Sequence, residues 1–480
     1  MKRRDSVLAV AAGIATALLT YFGTGLHPSW PLLWFAPISV IAIAPRLSAT
    51  RAFLLAFTAW LIGETNLWKH LVHGVHVPLL LVAVSFVATA VVFGLGVLLV
   101  RRLLRRSAIV LAALAFPIYW VTFEYLTESA SPHSTYGNLA YTQVNFLPLI
   151  QIAAVTGIWG ISFIVFLFAG TTATLLSGIG EPRQRRALAI AVSAIICAAF
   201  LFGGWRLRAN PNAQLVTVTL IAKDIPMSVY LGSEKAALDL LREYADEVRR
   251  ATPAGTDVVV LPEKIARVSE DALPEVDALF DSAASAVHSA IDLGLVRRSP
   301  SAAFNSSRFY SAGGTFEANY DKHHLLLGVE PEQAGDKRVV IDQTSGRWAL
   351  QICKDMDFPK LSREYAADGA NLLLVPAWDF DEDRWMHARM AVLRGVENGF
   401  AVARAARNGL LTLSDNRGRI LAEAASAPDR FVAVSGKVNV THEQTLYAKT
   451  GDWFAWLCVG SFVVVLITAV RKSKVMRYNG

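Results

Sequence analysis

Cysteine is scarce in this chain, with three in 480 residues. Two of them, Cys197 and Cys458, fall in apolar runs, where they read as packing residues. Cys353 is then left without a partner in the long polar stretch, which excludes a disulfide scaffold there. Charge is also scarce. Asp, Glu, Lys and Arg make up 18% of the residues while hydrophobic types make up 54%. Ordinary soluble domains run at roughly 45–50% apolar and about 25% charged, so a chain soluble throughout is excluded. No G-x-x-x-x-G-K phosphate loop occurs. In the polar stretch His323 and His324 are adjacent and His387 stands alone, so neither arrangement offers the i, i+4 spacing of a helical metal site. The expectation is an enzyme or scaffold with no metal and no cofactor. Internal repeats, low-complexity tracts and flexible linkers are missing as well.

What is present is apolar sequence in blocks. Mean hydropathy is +0.39, and the excess sits before about residue 205 and near the C-terminus. Eight spans are expected, at roughly 7–23, 30–46, 52–68, 78–100, 107–125, 147–176, 187–205 and 453–470. The first has the basic start of a signal peptide (Lys2, Arg3, Arg4), but the apolar runs that follow it closely mark it as a retained helix. Basic residues fall on alternate loops. One side carries Lys2, Arg3 and Arg4, then Arg46 and Arg51, then Arg101, Arg102, Arg105 and Arg106, then Arg183, Arg185 and Arg186, and finally Arg471, Lys472, Lys474 and Arg477. The other side carries Lys69 and little else, and Thr127 to Asn145 has no Lys or Arg. Both termini are therefore expected in the cytoplasm and the segment from about 206 to 452 outside it. The net charge of +7 is accounted for by loops facing anionic lipid, and no nucleic acid is expected as a partner.

The segment 206–452 has the size of one domain. Val216 to Leu220, Val258 to Leu261, Trp348 to Ile352 and Leu372 to Val375 read as strands, and Ser233 to Arg250 and Asp383 to Asn398 as helices. Alternating strands and helices predict an α/β fold. Cys353 then stands at a strand exit among charges, in "LQICKDMDFPK". A buried small hydrophobe and a nucleophile are both open readings. A nucleophile needs a base and an oxyanion donor. In "DVVVLPEKI" Pro262 ends a strand and presents Glu263, and in "NYDKHHLLLGVE" Lys322 precedes an apolar run that closes on Glu330. Each alone reads equally well as a solvated loop residue. Glu124, near the outer end of the fifth span, reads as an interfacial glutamate, and Arg394 with Glu397 as a surface i, i+3 ion pair.

Taken in order, Pro-Glu after a strand, Tyr-x-Lys-x-His-Leu, and a strand ending in Cys resemble the nitrilase or carbon–nitrogen hydrolase superfamily. Its placement between a seventh and an eighth membrane helix resembles the membrane-bound branch, the apolipoprotein N-acyltransferase family. "YGNLAYTQVNFLPLIQIAAVTGIWGISFIV", "FNSSRFY", "MAVLRGVENGFAVARAARNG" and "TLYAKTGDWFAWLC" are similar to that family's segments. The resemblance implies a multi-pass α-helical membrane domain of about eight transmembrane helices with an α/β nitrilase-like αββα sandwich. The domains are 1–205, seven helices; 206–452, the extracytoplasmic catalytic domain; and 453–480, a last helix and a basic cytoplasmic tail.

By the resemblance Glu263 is the general base, Lys322 the oxyanion donor and Cys353 the nucleophile, and Glu330, Asp355 and Glu397 support them. The family's Cys-Tyr-Glu run is Cys353-Lys354-Asp355 here, so Asp355 replaces a carboxylate one methylene longer. Lys354 adds a cation expected to favour the thiolate. Leu231 stands where a tryptophan is expected. The implied partners are a phospholipid acyl donor, a diacylglyceryl-modified lipoprotein acceptor and membrane lipid. The implied state is a monomer in the bacterial cytoplasmic (inner) membrane. The acyl group would pass through a cysteine thioester to the α-amine of S-diacylglyceryl-cysteine. The alternative is a membrane-tethered nitrilase-type amidase or hydrolase using the same three residues with water as acceptor. A scaffold without activity is the third reading. The apolar Leu325 to Leu327 is the expected source of water exclusion.

Overall fold

The computed structural model describes residues 3–208, 214–428, 430–441 and 443–470. Lys2 and the basic tail from Arg471 onward lie outside them. The chain forms two compact units: Met1–Thr127, Ile158–Leu201 and Asp452–Gly480 make the first, and Glu128–Gly157 with Phe202–Gly451 the second.

Among the described residues, six helices are long and apolar enough to cross a membrane: Asp5–Gly23, Leu79–Leu104, Ile109–Ala130, Ile158–Leu176, Pro182–Arg206 and Trp453–Val470. The other two expected spans are interrupted. Residues 30–46 break into Trp30–Phe35, Ile38–Ile43 and a 3-10 turn Ala44–Arg46, because Pro37 and Pro45 each remove a helical donor. The third is an α-helix over Ala49–Gly63 that runs on into a 3-10 turn, Glu64–Leu67, and a π-helical turn, His70–Gly74, so the run is helical but not uniformly α. The first unit is held by aromatic packing. Trp60 stacks on Phe93 at 4.3 Å between centroids, and Trp120 packs against both Phe93 and Phe116. Large apolar side chains such as Leu80, Ile190 and Val464 point outward, the reverse of a water-soluble bundle.

The expected run 147–176 is divided at Gly157, which takes φ +68. Only Ile158–Leu176 is a long helix; Leu147–Ile150 and Ala153–Thr156 are single turns that belong to the second unit. A side chain at 157 would meet the Tyr447 ring at 2.5 Å, so glycine is required by space as well as by backbone angle.

The second unit contains two sheets. Gln214–Ala222 (β1), Val258–Val260 (β2), Arg267–Ser269 (β3), Ala290–Arg298 (β4), Ala303–Tyr310 (β5) and Phe316–Asp321 (β6) come first in the chain. Val340–Gln343 (β7), Gly346–Leu350 (β8), Ala370–Trp378 (β9), Ala401–Arg407 (β10), Leu410–Ser414 (β11), Ile420–Ala425 (β12) and Val432–Val440 (β13) follow. One sheet runs β13-β1-β2-β4-β5-β6, with β3 on β4, and the other runs β12-β11-β10-β9-β8-β7. Strand alternation builds the layers. Val216, Val218 and Leu220 of β1 meet Leu350, Leu372, Leu374 and Leu413 between the sheets. Val259, Ile291 and Leu293 face outward onto the helices Glu234–Ala251 and Leu273–Val287. Leu373, Val375 and Val402 do the same toward Pro359–Ala367 and Arg384–Asn398. The result is an αββα sandwich, the expected architecture. The predicted helix over 233–250 begins where its sequence directs, with the Ser233 hydroxyl accepting from the Ala236 N–H at 3.3 Å.

Candidate active site

Glu263, Lys322 and Cys353 all lie just past the ends of strands in the second unit. Glu263 follows β2 by way of Leu261 and Pro262, and its N–H donates to the Ala377 carbonyl of β9 at 3.2 Å, which ties one sheet to the other. Lys322 follows β6 directly, and its N–H donates to the Asn305 carbonyl of β5 at 2.8 Å. Cys353 opens the 3-10 turn Cys353–Asp357 beyond β8 with φ +41. That left-handed angle is costly for a side chain with a Cβ and is held by the surrounding fold.

Lys322 is buried and bridges two carboxylates, at 2.8 Å to Glu263 Oε1 and 2.9 Å to Glu330 Oε2. Asn305 Nδ2 donates to the same pair, at 2.6 Å to Glu263 and 3.1 Å to Glu330. The Leu326 N–H donates to Glu330 at 2.7 Å. Burial alone would lower the Lys322 ammonium, but Glu263, Glu330 and the Cys353 sulfur outweigh it and hold it well above its ordinary value. For Glu330 burial pushes upward, and Lys322 and Lys264 override it and bring the carboxyl down to about 2. Cys353 is half-buried, and its Sγ donates to the Trp378 carbonyl at 3.4 Å. Burial and the Glu263 carboxylate push the thiol well above its ordinary value, against Lys322 and Arg404. The resting group is a thiol, and its reactivity depends on a base.

Lys354 does not reverse this, contrary to the sequence expectation. Its ammonium turns to Asp357 at 3.2 Å and to His133 Nδ1 at 3.3 Å, so it neutralises a neighbouring carboxylate in place of the thiol. Asp355 is fully buried, and it accepts from the Tyr320 hydroxyl at 2.7 Å, the His324 N–H at 2.8 Å and the Ile352 N–H at 3.1 Å. It thereby pins the β8 exit to the Lys322 segment. Arg394 and Glu397 are wholly buried, not a surface pair. Arg394 binds Glu397, donates to the Met356 carbonyl at 2.9 Å and to Thr135 Oγ1 at 2.9 Å, and also binds Tyr141. It braces the turn that begins at Cys353. Of the expected apolar screen, Leu325 and Leu326 are half-buried, while Leu327 is 73% exposed and neighbouring Val329 60%. Leu231 is exposed as well.

Sequence reasoning did not single out Asn305, Lys264 or Glu332 as site residues. Lys264 Nζ lies 2.7 Å from Glu330 and 2.9 Å from Glu332. Asn305 had a weak signal, since asparagine is depleted in strands yet is buried within β5.

Comparison with known proteins gives matches in both the apolar and the α/β parts of the chain. Residues 16–171 match the family model for the apolipoprotein N-acyltransferase N-terminal domain, and residues 217–447 match the carbon-nitrogen hydrolase model. The apolipoprotein N-acyltransferase of Geobacter metallireducens is 26% identical, over 98% of this chain and 96% of that protein. The apolipoprotein N-acyltransferase of Pseudomonas syringae pv. tomato is 26% identical, over 98% and 97%. Among solved structures, an amidase from Nesterenkonia sp. is 19% identical and covers 52% of this chain and 98% of its own, with a TM-score of 0.42.

Proposed function

The chain belongs to the apolipoprotein N-acyltransferase family, and from that premise we propose that it transfers a fatty acyl chain from a phospholipid to the N-terminal amine of S-diacylglyceryl-cysteine on a lipoprotein, through a thioester at Cys353. It is a bacterial membrane protein. Its membrane is the cytoplasmic (inner) one, and its catalytic unit lies on the extracytoplasmic side. The basic-loop asymmetry supports that orientation. Protease added outside spheroplasts should cut between residues 214 and 441; cleavage from the cytoplasmic side alone would reverse the assignment. The enzyme acts as a monomer and takes no nucleic acid.

The observation that carries the reading is Lys322, bridged to Glu263 and Glu330 in a buried site whose thiol is held protonated. Glu263 accepts the Sγ proton as sulfur attacks the ester carbonyl carbon. Lys322 is the fixed cation for the resulting oxyanion. Collapse breaks the ester C–O bond, and the lysophospholipid oxygen takes the proton from Glu263, leaving a thioester. The lipoprotein amine then attacks that carbonyl and gives its proton to Glu263. When the C–S bond breaks the proton returns to sulfur, and an amide leaves. Asp355, Arg394 and Glu397 hold the turn that bears the nucleophile. Leu327, Val329, Met227 and Leu231 stand exposed on the segments carrying Glu330 and Tyr230, which suits substrates presented by a lipid phase.

The hydrolase alternative shares every step up to the thioester. The deciding experiment isolates the acyl-enzyme and offers water alone, a diacylated lipopeptide with a free α-amine, and the same peptide N-acetylated. Discharge only to the free amine supports the transferase; discharge that is rapid in water and indifferent to the amine refutes it.

A further inference from the structure

The mechanism uses one lysine, but the carboxylate cluster around it holds a second. Lys264 directly follows Glu263 and takes φ +50, a left-handed angle that a lysine adopts only under constraint. The constraint is Arg407, whose Nη1 donates to the Lys264 carbonyl at 2.8 Å while its guanidinium lies 3.7 Å from the centroid of the Trp378 ring. The turn aims Lys264 Nζ between two carboxylates, Glu330 at 2.7 Å and Glu332 at 2.9 Å, and all three side chains are at most 7% exposed. The charges therefore form a chain: Glu263, Lys322, Glu330, Lys264, Glu332. Three carboxylates meet two ammonium groups, and Glu330 is the member bonded to both.

That arrangement bears on proton transfer. When Glu263 takes the thiol proton, Lys322 loses the charge of one of its two partners. Its remaining partner, Glu330, competes with the thiolate and the oxyanion for the same ammonium. A Glu330 already bonded to Lys264 competes less. We propose that Lys264, held by Arg407 and balanced by Glu332, is a positioning residue that takes up the charge of Glu330 and so leaves Lys322 free to follow the charge from Glu263 to sulfur and oxyanion. This deepens the reading above and rests on it.

The consequence is a shift in the acid limb of the acylation rate, because that limb reports protonation of the base. The charged and titratable groups around Glu263 and Cys353 are Lys322, Glu330, Asp379, Arg404, Arg407 and the Tyr230 hydroxyl; all of these stay in place in the variants below. Lys264→Met makes the network more negative and should move the limb upward by about one pH unit. Glu332→Gln makes it less negative and should move the limb downward. The double variant restores the net charge and should return the limb close to its original position.

The experiment is single-turnover acylation of the full-length enzyme with phosphatidylethanolamine in detergent micelles, read by intact mass at Cys353 across a pH series, with a melting curve for each variant. Opposite shifts in the two single variants and recovery in the double variant support the proposal. An unmoved limb in Glu332→Gln, or a double variant no closer to wild type than Lys264→Met, overturns it; the Glu332→Gln arm stands even if Lys264→Met does not fold. Absence of any adduct in the wild type would defeat the functional reading, an outcome distinct from an adduct whose pH profile ignores Lys264.

Discussion

Replacing Asp292 with asparagine should make the protein more stable, by an amount that grows with pH. Asp292 lies in β4 and is fully buried. Its carboxyl accepts a hydrogen bond from the Ser307 hydroxyl, and among the described residues its second oxygen is buried without a hydrogen-bond partner. Burial pushes the carboxyl from 3.8 up to about 7, with only the Ser307 contact opposing. The folded value lies above the unfolded one. The stabilising contribution is therefore complete below pH 3.8 and is lost as pH rises through about 7. At about 1.36 kcal/mol per unit, a shift of roughly three units is worth about 4 kcal/mol once the group is ionised in both states. Asparagine has nearly the same shape and never ionises. Asp292→Asn should then gain about 4 kcal/mol over wild type near pH 8, about 2 near pH 5.5, and almost nothing near pH 4. The assay is thermal or denaturant unfolding of the detergent-solubilised full chain, wild type and variant in parallel, so that other titrations cancel. A difference that stays constant with pH would refute the reasoning, since a packing effect has no proton to release.

The other expectations concern the site and its frame. Cys353→Ala should abolish acyl-adduct formation with an unchanged melting temperature; turnover by this variant would exclude the nucleophile assignment. Glu263→Gln should slow thioester formation by about 10²–10⁴-fold, the usual cost of losing a general base. Lys322→Met should cost about 10²–10³-fold, as loss of an oxyanion donor does; a normal single-turnover rate in either variant would remove its role. Arg394→Met leaves Glu397 charged and buried, so unfolding measurements should show a loss of about 3–5 kcal/mol, and a loss below about 1 kcal/mol would mean that the pair is not as enclosed as its geometry requires.

The strands around 216–220, 258–261, 348–352 and 372–375 were legible because each is a short apolar run bounded by polar residues or proline. The helix at 234 was legible because its cap is local. The order Pro-Glu, Lys and strand-Cys was legible through its resemblance to a known family, since each residue alone reads as a solvated loop residue. Other features depend on partners far away in the chain. Arg394 and Glu397 have the same i, i+3 spacing whether solvent or Tyr141 faces them, so spacing could not reveal that they are buried. The direction taken by Lys354 depends on His133, more than two hundred residues earlier. The break at Gly157 is a single residue in an otherwise continuous apolar run, and hydropathy averages over it.

That break has a practical consequence. Residues 128–157 are bracketed by membrane helices in sequence, yet they supply Thr135, Tyr141 and His133 to the catalytic unit. An expression clone beginning near residue 206 would omit them and leave Arg394 with two of its side-chain partners gone inside an apolar interior. The catalytic half is thus not a cassette that can be cut out at its obvious borders. A soluble version would need residues 128–157 stitched on as well, and recombination that exchanged only the region from 206 onward between relatives would deliver a domain with a missing brace behind the turn at Cys353.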